Sequence, residues 1–188
     1  MNTNDLRELL LQLYAEQDQG LRQRFDRSLS FQDGMFDRWE RARRLGFGDG
    51  ASIYNSALIY GDVGVGEQTW IGPGVILDGS SDSLSIGAYC SISSGVHIYT
   101  HDTVRWALSR GEEEPRTAPV IIGDCVYIGP QSVIVAGIKI GSHCVVGANS
   151  FVNKDVASRT VVAGTPARPI GRVVGDGKDI RIVSDAES

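Results

Sequence analysis

The sequence predicts an all-β solenoid of short parallel strands, on three observations. First, aliphatic residues recur every six positions from Ile122 to Val152, in the units IGDCVY, IGPQSV, IVAGIK, IGSHCV and VGANSF, and Gly follows in four of the five. Second, the same frame runs backwards through Ile53, Ile59, Val65, Ile71 and Leu77 and resumes at Ile86, Ile92 and Ile98. Third, the fifth place of each unit is small or apolar: Ala57, Val63, Thr69, Val75, Cys90, Val96, Val126, Ser132, Ile138, Cys144, Ser150 and Val156. A period kept this long marks a repeat architecture, and six residues is too short for a helical repeat. A strand alternates its side chains between two faces, so the first and fifth places share one interior. The remaining residues turn a corner, where Gly tolerates the backbone angles required. Stacked units of this kind form a parallel β-helix around a ladder of Ile, Val and small residues.

The bulk properties narrow the function. A chain of 188 residues with a net charge of −5 is one ordinary domain, with nothing to recommend nucleic acid or an anionic membrane as its main partner. No apolar run approaches the roughly 18 residues of a membrane span, and the N-terminus lacks a signal-peptide pattern, so a cytoplasmic location and no membrane insertion are expected. Three cysteines without a CxxC spacing argue against a disulfide framework or a zinc knuckle. Cys90 and Cys144, at fifth places, read as small buried hydrophobes.

Three regions follow in order. Residues 1–50 are expected to form a helical cap. A first helix is predicted over residues 4–29, where Leu6, Leu9, Leu10, Leu13, Leu21 and Phe25 recur at helical spacing and Gly20 suggests a turn. A second runs from Asp33 to Leu45 with Phe36 and Trp39 inward. It carries Arg38, Arg41, Arg43 and Arg44, either an anion-binding face or, the favoured reading, a solvated face balanced by Asp33, Asp37 and Glu40. These helices would cover the first coil, since an open solenoid end exposes strand edges. Residues 51–170 hold the repeats, interrupted twice. The stretch SSDS (80–83) stretches Leu77–Ile86 to nine residues, a small corner insertion with Asp78 just before it. Residues 103–119 contain no repeat unit and must leave the coil as an extended loop, and long excursions of that kind are usually functional. Residues 171–188 read as a hairpin around Asp176–Gly177 with a frayed SDAES end.

The root of the long loop is VHIYTHDT, residues 96–103. From Gly95 to Arg168 the chain resembles the hexapeptide-repeat acyltransferases, in particular the maltose, galactoside and nodulation sugar O-acetyltransferase group. In that group Gly-Val-x-Ile-Tyr-Thr leads to the catalytic histidine, and after a loop comes Ile-Gly-Asp-x-Val-Trp-Ile-Gly. Here the segments are GVHIYT–HD and IGDCVYIG. The resemblance implies a left-handed parallel β-helix, acetyl-CoA as co-substrate without a metal, and a homotrimer with active sites between subunits. It implies His101 as the catalytic base. It makes Asp78 a candidate for holding the acceptor; a polar corner residue without a ligand role is the alternative. His97 either contacts the acceptor or packs beside the site. Asp102 orients His101, contacts the acceptor or solvates the loop. Trp106 presents a ring to a sugar or packs the loop down. On the donor side the resemblance implies Tyr127 as the aromatic wall of the pantetheine arm, where the family has Trp. Gly129 and Ala148 then lie along the arm, and Asn153, Lys154 and Arg168 approach the CoA phosphates, the last within AGTPAR. Pro130 departs from the family's Ser or Gly and cannot donate an oxyanion hydrogen bond. Ile71-Gly72-Pro73 lacks the acceptor Asn of the galactoside enzymes.

The chemistry this asks for is modest. Acetyl-CoA is an activated thioester, so one imidazole to remove a hydroxyl proton and a backbone N–H for the oxyanion suffice. The expected function is acetyl transfer to a sugar hydroxyl, with a bacterial-type surface-glycan component or precursor as acceptor. The rivals are an N-acetyltransferase on an amino-sugar nucleotide and a non-catalytic structural or metal-binding β-helix subunit. The metal reading would need His97, His101 and His143 to converge as zinc ligands.

Overall fold

In a computed structural model that describes residues 2–184, helices precede stacked ladders of short parallel strands. The chain visits three ladders in turn. Ile53, Ile71, Ile92, Ile128 and Val146 succeed one another on the first. Ile59, Leu77, Ile98, Ile134 and Val152 do so on the second. Val65, Ile86, Ile122 and Ile140 do so on the third, where Val156 bridges to Ile140. The second and third ladders belong to one sheet, because the strands Leu58–Val65 and Ile76–Ile86 run unbroken through the corner between them. The SSDS insertion therefore lies within a continuous strand, and the register slips between Gly61 and Val63 to absorb it. The last coil is short: Val146 pairs with Val162, so the corner at Asn153–Asp155 is cut tight.

First-place residues are buried throughout the ladders except Ile59, which is partly buried. The polar fifth-place residues are buried and satisfied. Thr69 Oγ1 donates to the Gly87 carbonyl at 2.8 Å, and Ser132 and Ser150 Oγ donate to the Gly147 carbonyl at 2.9 and 2.7 Å. A small hydroxyl at this place reaches a corner carbonyl of its own unit or of a neighbouring coil that would otherwise lose its hydrogen bond to water.

The role of the second-place glycines needs correction. The left-handed backbone sits at the fourth place, where Gln68, Tyr89, Cys125, Gln131, His143 and Asn149 all have φ between 54° and 61°. The second-place glycines are needed for closeness instead. A Cβ on Gly129 would stand 2.6 Å from the Ala148 backbone nitrogen, and one on Gly72 would stand 2.9 Å from that of Ser94.

The N-terminal helices differ from expectation. α1 (Thr3–Phe25) passes through Gly20 without a break, and an Asn2–Asp5 capping box starts it. None of its residues is buried. It leans on α2 (Phe31–Met35) through Tyr14, whose hydroxyl donates to the Leu29 carbonyl at 2.9 Å. α3 (Arg38–Arg44) is separate from α2, because Asp37 caps it by accepting from the Trp39 and Glu40 amides at 2.9 and 2.7 Å. Phe36 and Trp39 are exposed, and Ala42 with Phe47 enters the core in their place. α3 therefore covers the first coil, and α2 touches it through Asp33, which accepts from the Ser56 amide and hydroxyl. The arginine face divides as well. Arg41 is half-buried and donates to the carbonyls of Tyr54 and, at 2.9 Å, Ala57, and burial lowers its pKa against the opposing charge of Asp33. Arg44 pairs at the surface with Glu40 at 3.0 Å.

At the other end, Thr160–Ala163 pairs antiparallel with Arg168–Val174, which pairs antiparallel with Arg181–Ser184. A 3-10 turn, Gly177–Asp179, closes the second connection beside Asp176–Gly177. Of the SDAES end, residues 185–188 lie outside the described residues. Among the described residues no helix is long and apolar enough to cross a membrane.

Candidate active site

The corner between the second and third ladders collects the chemistry. Every segment of the second ladder reaches it, Ile76–Ile86 by running through and the later strands by ending there, so the residues after Leu77, Ile98, Ile134 and Val152 stack above one another. Those residues include Asp78, then Tyr99-Thr100-His101, then Val135-Ala136, then Asn153-Lys154. The rungs that lead into His101 and Lys154, those of Ile98 and Val152, lie two strand spacings apart, roughly 10 Å along the stack.

His101 stands where the chain leaves the coil. His101–Asp102 pairs antiparallel with Arg116–Thr117, a two-residue ladder that closes the base of the loop. Arg116 also donates to the Ala136 carbonyl at 3.2 Å, and the Ala118 amide donates to the Thr100 carbonyl at 3.0 Å. The loop is not structureless: α4 (Val104–Leu108) opens it, with the Asp102 carboxylate accepting from the Val104 amide at 3.1 Å. Asp102 is therefore occupied with the loop. Trp106 is 51% exposed, and its ring lies beside Gly111 of the same loop.

The carboxylate nearest His101 is Asp78. Its Oδ2 lies 3.8 Å from His101 Nδ1, which is buried and has no hydrogen-bond partner. Asp78 is itself buried, and its Oδ1 accepts from the Ser80 amide at 3.0 Å and the Ser80 hydroxyl at 2.6 Å. That leaves Oδ2 facing the imidazole. Thr100, fully buried, donates to the Asp78 carbonyl at 2.8 Å and ties the two rungs together. The hexamer spacing did not single out Thr100 or Tyr60, yet the register stacks Tyr60, Asp78 and Tyr99 as consecutive rungs. Burial raises the Tyr99 hydroxyl pKa, and the Asp78 and Tyr60 charges add to the rise. Its hydroxyl meets His97 Nδ1 at 3.2 Å, so His97 faces the same corner.

The donor-side candidates fall into three places. Asn153, Lys154 and Arg168 line one groove of about 350 Å³ at the short last coil. Gly129 and Ala148 meet at the corner between the first and second ladders, where the missing Cβ admits the Ala148 backbone. These two edges bound the same strip of the surface, the one carrying His97, Val133 and Phe151. Tyr127 is not brought to that strip within one chain. It lies on the first ladder, 44% exposed, in a groove of about 380 Å³ with Val145, His143 and the C-terminal Ile180 and Ile182. His143 is thus far from a shared site with the other two histidines by register, and among the described residues no three His, Cys, Asp or Glu side chains converge to hold a metal ion. The Pro130 carbonyl accepts from the Asn149 amide at 2.9 Å, which makes it part of the coil stacking.

Known proteins with this pattern agree on the fold. Residues 119–154 match the family described as bacterial transferase hexapeptide (six repeats). A hexapeptide-repeat-containing acetyltransferase from Vibrio cholerae O1 biovar eltor, solved in complex with acetyl coenzyme A, is 30% identical. The match covers 92% of this chain and 89% of that one at a TM-score of 0.66. The chain belongs to the hexapeptide-repeat acetyltransferase family. Another solved structure, a maltose O-acetyltransferase from Clostridium difficile 630, is 26% identical over 90% of this chain and 87% of its own, with a TM-score of 0.59. A chloramphenicol acetyltransferase from Morganella morganii is 34% identical over 127 residues, covering 56% of this chain. The hexapeptide-repeat chain spans 59% of that relative's length.

Proposed function

We propose that this protein transfers an acetyl group from acetyl-CoA to a hydroxyl of a sugar, with His101 as general base. The observation that carries the proposal is the shared corner. It places His101 at the loop root, Asp78 against its Nδ1, and the Asn153–Lys154–Arg168 groove on the same edge. In this reading Asp78 faces Nδ1–H as its hydrogen-bond acceptor and leaves Nε2 free as the base, and with its neighbours, the exposed Tyr60 and the partly buried Tyr99, it borders the acceptor pocket. His97 and Trp106 line that pocket, and Asp102 holds the loop that shapes it. Nε2 removes the acceptor proton as the hydroxyl oxygen attacks the thioester carbonyl. A backbone N–H stabilises the oxyanion, and Pro130, which has none, is not its source. The tetrahedral adduct then collapses, the C–S bond breaks, and the proton passes from Nε2 to the departing thiolate. Lys154 and Arg168 bind the CoA phosphates as point charge and fork, and Gly129, Ala148 and Asn153 line the path of the arm.

The same proposal takes the three ladders as the faces of a left-handed parallel β-helix over residues 51–170, with a cap at 1–50 and a hairpin and tail at 171–188. It takes the working unit as a homotrimer whose sites lie between copies. That would bring a copy's Tyr127 to its neighbour's strip, and it suits the exposure of Trp70, 63%, and Leu58, 46%, on the ladder surfaces. A CoA donor made inside the cell puts the reaction in the cytoplasm. The similarity to a maltose O-acetyltransferase supports a sugar hydroxyl as acceptor. The test is calorimetry of acetyl-CoA with the assembled protein. Micromolar binding that weakens at least tenfold in Lys154→Ala is the outcome expected; no binding by an intact trimer would reject the donor site and the activity with it.

A further inference from the structure

We infer that the cleft under the N-terminal helices is a second binding site, taking a phosphorylated ligand with a planar ring, independent of the acetyl-transfer corner. The cleft, about 670 Å³, lies between the end of α1, α2, α3 and the first coil. That volume falls in the ordinary range for small-molecule sites. No residue of the His101 corner or the Lys154 groove lines it.

Its lining sets three guanidiniums against two carboxylates, Asp33 and Asp37. Arg24, Arg27 and Arg38 all line the cleft. Arg24 and Arg27 stand three apart near the end of α1 and have no hydrogen-bond or ion-pair partner among the described residues. Arg38 is half-buried and pairs with no carboxylate; its guanidinium lies 4.2 Å from the Trp39 ring and 5.2 Å from the Tyr54 ring, and it meets the Tyr54 hydroxyl at 3.2 Å. The two acids on the wall are engaged elsewhere. Asp33 accepts from the Ser56 amide and hydroxyl at 2.8 and 2.7 Å and faces the Arg41 charge, while Asp37 caps α3. The cleft therefore offers guanidinium forks that no carboxylate engages directly among the described residues, the geometry that recognises phosphate oxygens.

Its walls are aromatic. Phe25 and Phe36 are 56% and 54% exposed, and Trp39 is 43% exposed. Rings left this open beside cationic forks suit a flat ring that stacks while its phosphates are held. A nucleoside diphosphate combines both parts, and the cleft would leave the chemistry at His101 untouched.

The test is calorimetry with ADP as the probe, on the assembled protein already saturated with CoA, so that the donor groove is filled. Wild type is expected to bind ADP, with affinity falling at least tenfold in the double variant Arg24→Ala/Arg27→Ala, whose exposed positions leave the fold intact. Lys154→Ala, compared under the same CoA saturation, should leave ADP affinity within twofold. ADP binding that follows Lys154 and ignores Arg24 and Arg27 would assign the signal to the donor groove and overturn the inference. So would no binding at millimolar ADP. Quenching of Trp39 by ADP that persists in Trp70→Phe/Trp106→Phe would locate the ligand independently; loss of quenching there would count against it. A failure of ADP binding with acetyl-CoA binding intact sinks this inference and leaves the acetyl-transfer proposal standing.

Discussion

Two side chains separated by 23 positions in sequence set the chemistry at the residue scale. Asp78 and His101 meet because the coil stacks one corner on the next, with Nδ1 and Oδ2 at 3.8 Å. His101→Ala should reduce acetyl transfer about a hundredfold or more, the range for a lost general base. Acetyl-CoA affinity by calorimetry should stay within twofold; unchanged turnover would remove His101 from the mechanism. Asp78→Asn should lower kcat roughly tenfold through a misdirected imidazole, since an orienting group acts through geometry. In steady-state assays that variant should keep the KM for acetyl-CoA. A change confined to the acceptor KM would make Asp78 a binding residue only. The histidine was legible from its place at the break in the repeat. Its partner was legible only as a polar residue beside an insertion, because the contact depends on which rungs are neighbours.

The repeat unit, at the scale of elements, has two kinds of glycine. Gly129→Ala should destabilise the fold by about 1–3 kcal/mol through overpacking against the Ala148 backbone, measured as a lower Tm. Gly74, at a fourth place with φ 65°, has nothing nearer than the Gly95 nitrogen at 4.0 Å. Gly74→Asn should therefore cost about 1 kcal/mol or less, since Asn tolerates the left-handed region and Asn149 already occupies the equivalent place. Equal losses in the two variants would refute this division of roles. The six-residue spacing made the strands and their inward residues legible, because burial of every first place forces the aliphatic period. The corner angle was not legible, since seven non-glycine residues bear it, Arg159 with φ 62° among them. The helices were harder still: Asp37 as a cap outweighs the apolar run that suggested one helix from residue 33 to residue 45.

For the whole molecule, the core can be probed through its thiols. Cys90 and Cys144 are buried, and desolvation raises the pKa of each above 9.0, while Cys125 is exposed. Native protein should take one equivalent of iodoacetamide at Cys125 and unfolded protein three. The sign of the pH dependence follows. Well below the ordinary thiol pKa of about 8.5 both thiols are neutral in the folded and unfolded chains, and their contribution is fully present. Above it the unfolded thiols ionise first, so stability falls as pH rises through the folded values. Melting temperatures from pH 7 to pH 10 should show that fall, and replacing both residues with Ala should shallow it. A slope unaffected by the double replacement would place the effect elsewhere.

What the sequence by itself determined is the period, the inward ladder, the loop at residues 103–119 and the histidine at its root. Each is a local consequence of alternation, burial and a break in a repeat. The tertiary structure decided which corner residues stack into one site, because that depends on register: a three-residue insertion after Asp78 and a two-residue cut after Val152 shift which rungs adjoin. It also decided that α3 covers the coil and α1 does not, since Ala42 and Phe47 fit the coil end while the leucines of α1 meet no part of the core. Local pattern sets what a segment buries; the packing of distant segments sets what it is buried against.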